Sequence, residues 1–381
     1  AAALLAVARP HMNGVGGDMF ALVWNNNDKT IRAINGSGRA SGAASAQQLR
    51  DQGHREMPYW GVETVTVPGT VHGWETILNE CGTMPLSEVL KPAIRYAEEG
   101  FPVTDYISYQ WSTMVEKLAR LPSGQEMLID GRAPRQGEVM HLPTLGATLR
   151  AVAEGGAKAF YTGKIAEKTA AFIQEQGGWM TVQDLAAHTS DWEDPISTDY
   201  RGITCWESPP ANQGIAGLEA LNIAEGWDVA AMGSQTAKTY HHFIEAMRLA
   251  FADAFRYVAD PTKSEVPTAH LLSKEYAATR RSLIDPNLAM KTAPYGQVTG
   301  GSDTVYITCV DGKGNACSFI NSVYNNFGTG MIVPGTGIAL HNRGALFSLE
   351  HGHPNELAPN KRPYHTIIPA LATKDNELYL C

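Results

Sequence analysis

Two β-rich runs, Thr304-Val-Tyr-Ile-Thr-Cys-Val-Asp311 and Asn315-Ala-Cys-Ser-Phe-Ile-Asn-Ser-Val-Tyr324, are separated only by Gly312-Lys-Gly314. A loop this short, with glycine on both sides, makes the two runs a β-hairpin. With Lys313 at its centre, facing residues carry numbers that sum to 626, so Asp311 faces Asn315 and Thr304 faces Ser322. Directly opposed residues have Cβ atoms roughly 4.5–5.5 Å apart, so this register puts one hydroxyl within reach of another. By itself such a Thr–Ser pair is an ordinary sheet stabiliser.

The rest of the chain mixes strands and long helices. Met19-Phe-Ala-Leu-Val-Trp24, a turn at Asn25–Asp28 and Thr30-Ile-Arg-Ala-Ile34 read as a second hairpin. Leu86–Ala97 and Thr144–Ala153, the latter after Pro143, read as helices, and Ala1–Ala8 as the middle of a buried one. The clearest helix is Tyr240–Val258, where Phe243, Ala246, Met247, Ala250, Phe251, Ala254, Phe255 and Val258 form an apolar stripe that Asp260-Pro261 terminates. Strands and helices in this mixture give an α/β or α+β class, with helices covering sheets.

Composition removes several functions. The 381 residues allow one large domain or two to three ordinary ones, at about 150 residues per domain. A net charge of −9 argues against nucleic acid or an anionic membrane as partner. No apolar run approaches a membrane span. Ala1–Ala8 has no basic residues before it and does not read as a secretory signal. The 5 cysteines are odd in number and lack a C-x-x-C pair, which disfavours a disulfide framework or a zinc knuckle. Reduced cysteines and the lack of a signal lean towards the cytoplasm, with the periplasm or secretion left open by a trimmed N-terminus.

Several motifs are better read as structure than as chemistry. Gly14-Val-Gly16-Gly17 lacks both the Lys-Ser/Thr of a phosphate loop and the third glycine of a dinucleotide fingerprint, so a tight turn or close backbone packing is expected. Gly36-Ser-Gly-Arg-Ala-Ser-Gly42 never has the spacing of a nucleophile elbow. His241, His242 and Glu245 are expected on a solvated helix face, and His351 and His353 in a loop held by Gly352 and Pro354. No metal and no cofactor is expected.

The approach to Thr304 carries more. Tyr295-Gly-Gln-Val-Thr-Gly-Gly-Ser-Asp303 is pliable and rich in glycine, and it delivers a hydroxyl to the head of a strand. Cleavage before that threonine frees an α-amino group with an intrinsic pKa of roughly 7.7–8.0, which can serve as general base for the threonine's own hydroxyl.

On these residues the chain resembles the gamma-glutamyltransferase family of N-terminal nucleophile hydrolases. Pro10–Phe20, Val67-Pro-Gly-Thr-Val71, Gly177–Leu185, Tyr200-Arg-Gly202, Ser208–Gly214 and Ala246–Pro261 resemble family segments. Asp303-Thr304, Asp311 to Asn315, Phe327-Gly-Thr-Gly330, Thr336-Gly-Ile338, Asn342 and Lys361-Arg-Pro363 follow in the family's order. The resemblance implies an α+β fold of four α-β-β-α layers. It also implies autocatalytic cleavage between Asp303 and Thr304, into a large-subunit region 1–303 and a small-subunit region 304–381 that together form one structural domain. The second region is shorter than a complete family small subunit and reads as incomplete, with the family's oxyanion hole beyond it.

By the same resemblance Thr304 is the nucleophile and Ser322 the hydroxyl beside it, while His365 and Thr366 stand where the family has a pair of serines near the substrate. The residues that hold a γ-glutamyl group differ. Leu346 stands at an acidic position, Arg343 at a glutamine and Tyr324 at an asparagine, and the arginine position is shifted or lost near Ser37–Arg39. An ammonium group facing Leu346 lacks an ion pair, so a γ-glutamyl donor is disfavoured. Asn342-Arg-Gly344 and Gly36-Ser-Gly-Arg-Ala40 are more similar to the amidohydrolase branch that includes oxamate amidohydrolase.

The expectation is therefore an N-terminal nucleophile amide hydrolase working through an acyl-enzyme on a small carboxylate-bearing amide such as oxamate. Its substrate-binding residues are expected to be Arg343, Tyr324, Asn342, His365, Thr366 and Arg39. Arg343 either binds the carboxylate or pairs with an acid such as Glu350 or Glu356. The alternatives are a true γ-glutamyl hydrolase or transpeptidase, a cephalosporin-type acylase, and an uncleaved inactive binding homologue. The expected partners are the small-molecule amide and the two subunits of one precursor, with a homodimer left open.

Overall fold

The computed structural model describes residues 1–294 and 305–381. Two antiparallel sheets lie at the centre. The first is built from β1 (Asp18–Asn25), β2 (Thr30–Gly36), β3 (Asp191–Glu193), β6 (Val305–Val310) and β7 (Ala316–Ser322), in the order β3-β2-β1-β7-β6. The second is built from β4 (Ile196–Tyr200), β5 (Ile203–Glu207), β8 (Ala370–Lys374) and β9 (Glu377–Leu380), in the order β9-β8-β5-β4. Every described pair in β6 and β7, from Val305 opposite Asn321 to Val310 opposite Ala316, keeps the sum of 626 that the short loop requires. Thr304 itself lies outside the described residues.

Strand β1 explains the layering. Its side chains alternate between two apolar environments, which is why Met19–Trp24 reads as one unbroken apolar run. Leu22 and Trp24 pack with Ala33, Ala316 and Leu371 between the sheets, and Phe20 packs there with Ile320 and Ile367. Met19 and Ala21 point the other way, towards Ile77. That outer face is covered by helices α1 (Ala2–Ala8), α2 (Thr70–Cys81), α3 (Leu86–Glu99), α4 (Pro143–Tyr161) and α5 (Lys164–Glu175), whose apolar residues form the largest cluster. A kink at Gly156, φ 66°, divides α4. On the far side α6 (Gly214–Glu225) lies against β4 and β5, and α7 (Ala237–Tyr257) and α8 (Lys274–Arg281) pack on α6. The outcome is the four-layer α-β-β-α arrangement within an α+β fold. Among the described residues no helix is long and apolar enough to cross a membrane.

The glycine motifs serve close approach. A Cβ on Gly16 would lie 2.1 Å from the Ala339 carbonyl oxygen, and one on Gly38 1.5 Å from that of Val67. Helix α7 corrects one expectation. His242 and Glu245 are buried rather than solvated, because His242 Nδ1 meets the Lys238 carbonyl at 2.8 Å and Glu245 accepts from Arg248 at 2.7 Å and from the Met290 amide at 3.0 Å. Phe243 and Ile244 are exposed instead. From Ala246 to Val258 the stripe packs on the core as the sequence indicates; only in the first turns do hydrogen-bonded polar side chains take the buried face in place of Phe243. Among the described residues no group of three or more His, Cys, Asp or Glu side chains is placed to hold a metal ion.

Glu207, at the end of β5, is buried, and its Oε2 has no hydrogen-bond partner among the described residues. Burial pushes its carboxyl up to about 8. A raised carboxyl contributes stability that is complete below its unfolded value and is lost as pH rises through the folded one. Wild-type stability is expected to fall between roughly pH 4.5 and 8 by up to about 1.4 kcal/mol per pH unit from this group. Glu207→Gln should remove that slope in urea titrations at several pH values, and an identical pH profile in the two proteins would refute the assignment.

Candidate active site

A cavity of about 860 Å³ opens where the end of β7, the segment 345–350, the segment 364–368 and one side of α7 meet. Phe251 and Phe255 of α7, stacked at 5.9 Å between centroids, form its apolar wall with Tyr364. Tyr324, Thr366 and Leu346 line it as well. The stripe of α7 thus leaves its large aromatic flank on the cavity and its small alanines in the helical core.

Behind the wall lies a buried charge system that starts at the glycine-rich turn. Asp18 heads β1 directly opposite Ser322 of β7 and is wholly buried. Its Oδ1 accepts from the amides of Gly38 at 3.1 Å and Gly69 at 3.2 Å. Its Oδ2 accepts from His365 Nε2 at 3.2 Å and lies 3.5 Å from His341 Nδ1. Burial alone would raise the carboxyl, but His341, the His365 hydrogen bond and the Arg343 charge hold it at about 2. Burial, joined by the Arg343 charge, pushes His365 down to about 3 and leaves it neutral. A carboxylate only accepts, so the single ring proton of His365 sits on Nε2.

Arg343 is the cation of this system. It is fully buried one layer behind the cavity, between two residues that line it. Nη1 donates to Thr366 Oγ1 at 2.6 Å, and the guanidinium carbon lies 4.6 Å from the centroid of the Tyr324 ring. Nε and Nη2 have no partner among the described residues. Glu356, one of its candidate acids, is taken by Arg50 at 2.7 Å. Burial lowers the guanidinium to about 10, so it stays charged at neutral pH. A buried cation with two unused donors is costly, and such groups concentrate at functional sites.

Tyr324 adopts a left-handed backbone, φ 74°, which is strained for a bulky side chain. Its amide donates to Ser322 Oγ at 2.9 Å. Beyond it, buried Lys117 donates to the carbonyls of Asn326 and Gly328 with its ammonium 5.0 Å from the Trp60 ring.

The structure thus brings together Ser322, Tyr324, Arg343, His365 and Thr366. Asn342 is adjacent but engaged elsewhere, its Nδ2 donating to the Tyr59 carbonyl at 2.9 Å and its Oδ1 accepting from the Asn325 amide at 3.2 Å. Arg39 is not brought in; it pairs with Asp191 at 3.2 Å. Asp303 and Thr304 lie outside the described residues. Sequence reasoning missed Asp18 and His341. The available signal was a charge abutting a strand buried on both faces, which must find donors.

The family model for gamma-glutamyltranspeptidase, another name for gamma-glutamyltransferase, matches residues 1–381. The glutathione hydrolase-like YwrD proenzyme of Bacillus subtilis is 37% identical over 98% of this chain and 70% of its own length. The oxamate amidohydrolase proenzyme of Klebsiella pneumoniae is also 37% identical, over 98% of this chain and 70% of its own. Among solved structures, the cephalosporin acylase of Bacillus halodurans superposes with a TM-score of 0.92 at 42% identity, over 99% of this chain and 70% of that one.

Lys117→Met should leave the carbonyls of Asn326 and Gly328 without their donor, at a cost of about 1–3 kcal/mol. Urea denaturation measures this, and unchanged stability would show that the ammonium does not hold the turn that follows Tyr324.

Proposed function

Because the chain belongs to the gamma-glutamyltranspeptidase family, we propose that it is an autoprocessing amide hydrolase with Thr304 as nucleophile and a preference for amides that carry a carboxylate. The observation that carries the substrate preference is Arg343, a buried guanidinium whose Nε and Nη2 lack partners among the described residues, directly behind Tyr324 and Thr366 on the cavity wall. A planar fork with two free donors suits a carboxylate, and the Tyr324 ring, which covers the guanidinium at 4.6 Å, has to move for one to reach it.

Cleavage between Asp303 and Thr304 divides the precursor into regions 1–303 and 304–381. The pairing of β1 with β7 and of β5 with β8 supports their remaining one body, since each sheet takes strands from both regions. The register of β6 and β7 supports the pairing of Thr304 with Ser322. The Thr304 hydroxyl attacks the amide carbonyl while its own α-amine takes the proton. The leaving amine then receives that proton as the C–N bond breaks. Water, giving a proton to the α-amine, attacks the resulting ester, and the threonine hydroxyl reforms.

The cavity volume favours a second reading of substrate size. About 860 Å³ with an aromatic wall lies in the range of sites for drug-sized ligands, far above what oxamate fills. A larger acyl or amine portion, of the kind handled by an acylase, fits that wall while its carboxylate meets Arg343. The 5 free cysteines support a reducing, cytoplasmic setting.

Thr304→Ala is expected to yield a folded, uncleaved chain without turnover, and mass spectrometry of the wild type should show two fragments divided at that residue. Cleavage or turnover by the variant would overturn the mechanism. Ser322→Ala should slow turnover by roughly ten- to a hundredfold, the worth of one hydrogen bond to a group that develops charge; an unchanged kcat would show that the hydroxyl plays no such part. A panel of oxamate, oxamide, glutaryl p-nitroanilide, valeryl p-nitroanilide and a γ-glutamyl anilide tests the preference. Arg343→Gln should lose the anionic substrates selectively, and equal loss of neutral and anionic amides would remove Arg343 from substrate binding.

A further inference from the structure

We infer that Asp18, acting through His365, is a positioning residue that aims the Arg343 fork. The inference rests on the reading of Arg343 as the carboxylate's partner.

The chain of contacts is continuous. Asp18 Oδ2 holds the Nε2–H of His365, and the His365 ring packs on Phe20 at 4.6 Å. His365 Nδ1 faces the Ile367 amide at 3.5 Å. The main chain of His365 is fixed on its other side, where its amide donates to Ala211 and its carbonyl accepts from Gln213, both at 2.9 Å. Thr366 is therefore held from both sides, and its Oγ1 takes the Arg343 Nη1–H at 2.6 Å. Among the described residues that is the only side-chain hydrogen bond the guanidinium makes, so Thr366 sets the direction of Nε and Nη2.

Asp18 is built for this task. Two backbone amides fix its Oδ1, so the carboxylate cannot rotate away from His365. It faces Ser322 across the sheet, which ties the Arg343 anchor and that hydroxyl to the same residue. Its other oxygen, Oδ2, lies between His365 Nε2 at 3.2 Å and His341 Nδ1 at 3.5 Å, and His365 is the one of the two that is followed in the chain by Thr366. The one fixed cation among the groups acting on Asp18 is Arg343, which it does not touch. The two charges thus offset one another without forming a pair, and the guanidinium's donors stay open for a ligand.

The test compares an anionic with a neutral amide, glutaryl against valeryl p-nitroanilide or oxamate against oxamide, using whichever pair the wild type turns over. His365→Phe keeps a ring on Phe20 but removes the N–H. It is expected to lower the anionic-to-neutral ratio of kcat/KM by roughly tenfold or more. His365→Gln, which still offers an N–H to Asp18, should recover most of that ratio. Asp18→Asn separates position from field. Without the anion the Arg343 charge pulls harder on a carboxylate, so KM for the anionic amide should not rise, and the loss should fall on kcat by roughly tenfold or more. Melting curves accompany each variant, and if one fails to fold the other two carry the test. Equal losses for anionic and neutral amides, or an Asp18→Asn kcat within about threefold of wild type, would reduce Asp18 to a structural role. A wild type indifferent to the substrate carboxylate would instead sink the reading of Arg343.

Discussion

A single carboxylate gathers the parts of this protein that sequence separates. Asp18 ends the first glycine-rich turn and binds the Gly38 and Gly69 amides with Oδ1 and His365 with Oδ2. The glycines of these turns let main chains pass close to one another around this carboxylate. Gly17 lies against the Ser322 carbonyl, Gly38 against that of Val67 and Gly69 against that of Gly36, each closer than a Cβ permits. The motifs at 14–17, 36–42 and 67–71 are thus three approaches to one anion.

The same side-chain chemistry is tuned in opposite directions in the two halves of the sandwich. Asp18 is buried and charged, held at about 2 because its burial is outweighed by His341, the His365 hydrogen bond and the Arg343 charge. Glu207 is buried too, yet its carboxyl is pushed up to about 8 because burial is the only force acting on it. Glu219, beside Asp253 in the outer helical layer, is pushed well up by burial and by that neighbouring acid. Burial alone therefore neutralises carboxyls, and donors decide which one stays ionised. The ionised one stands beside the cavity, where a permanent anion can balance Arg343 without quenching it.

Much of the fold was legible because it is local. The hairpins at 19–34 and 305–322 follow from alternation and short turns, and the helices at 86–97 and 240–258 from periodicity and their terminators. The face of α7 was legible from Ala246 to Val258 but not in its first turns, because the pattern of apolar residues does not reveal that His242 and Glu245 find partners at Lys238, Arg248 and Met290. In the site, Ser322, Tyr324, Arg343, His365 and Thr366 were named from the sequence and converge. Arg39 shares their motif context but is drawn away by Asp191, a partner 152 positions along the chain.

The sequence by itself determined what short-range geometry determines: strand pairing through a three-residue loop, glycines where backbones meet, and the types of chemical group near residue 322. Tertiary structure decided how those groups are charged and which way they point. Arg343 is 325 residues from Asp18, and no local pattern states that its guanidinium is buried behind Tyr324 with two donors unused. Desolvation depends on everything packed around a group, from all parts of the chain at once. The fate of a charge is therefore fixed only when the layers close.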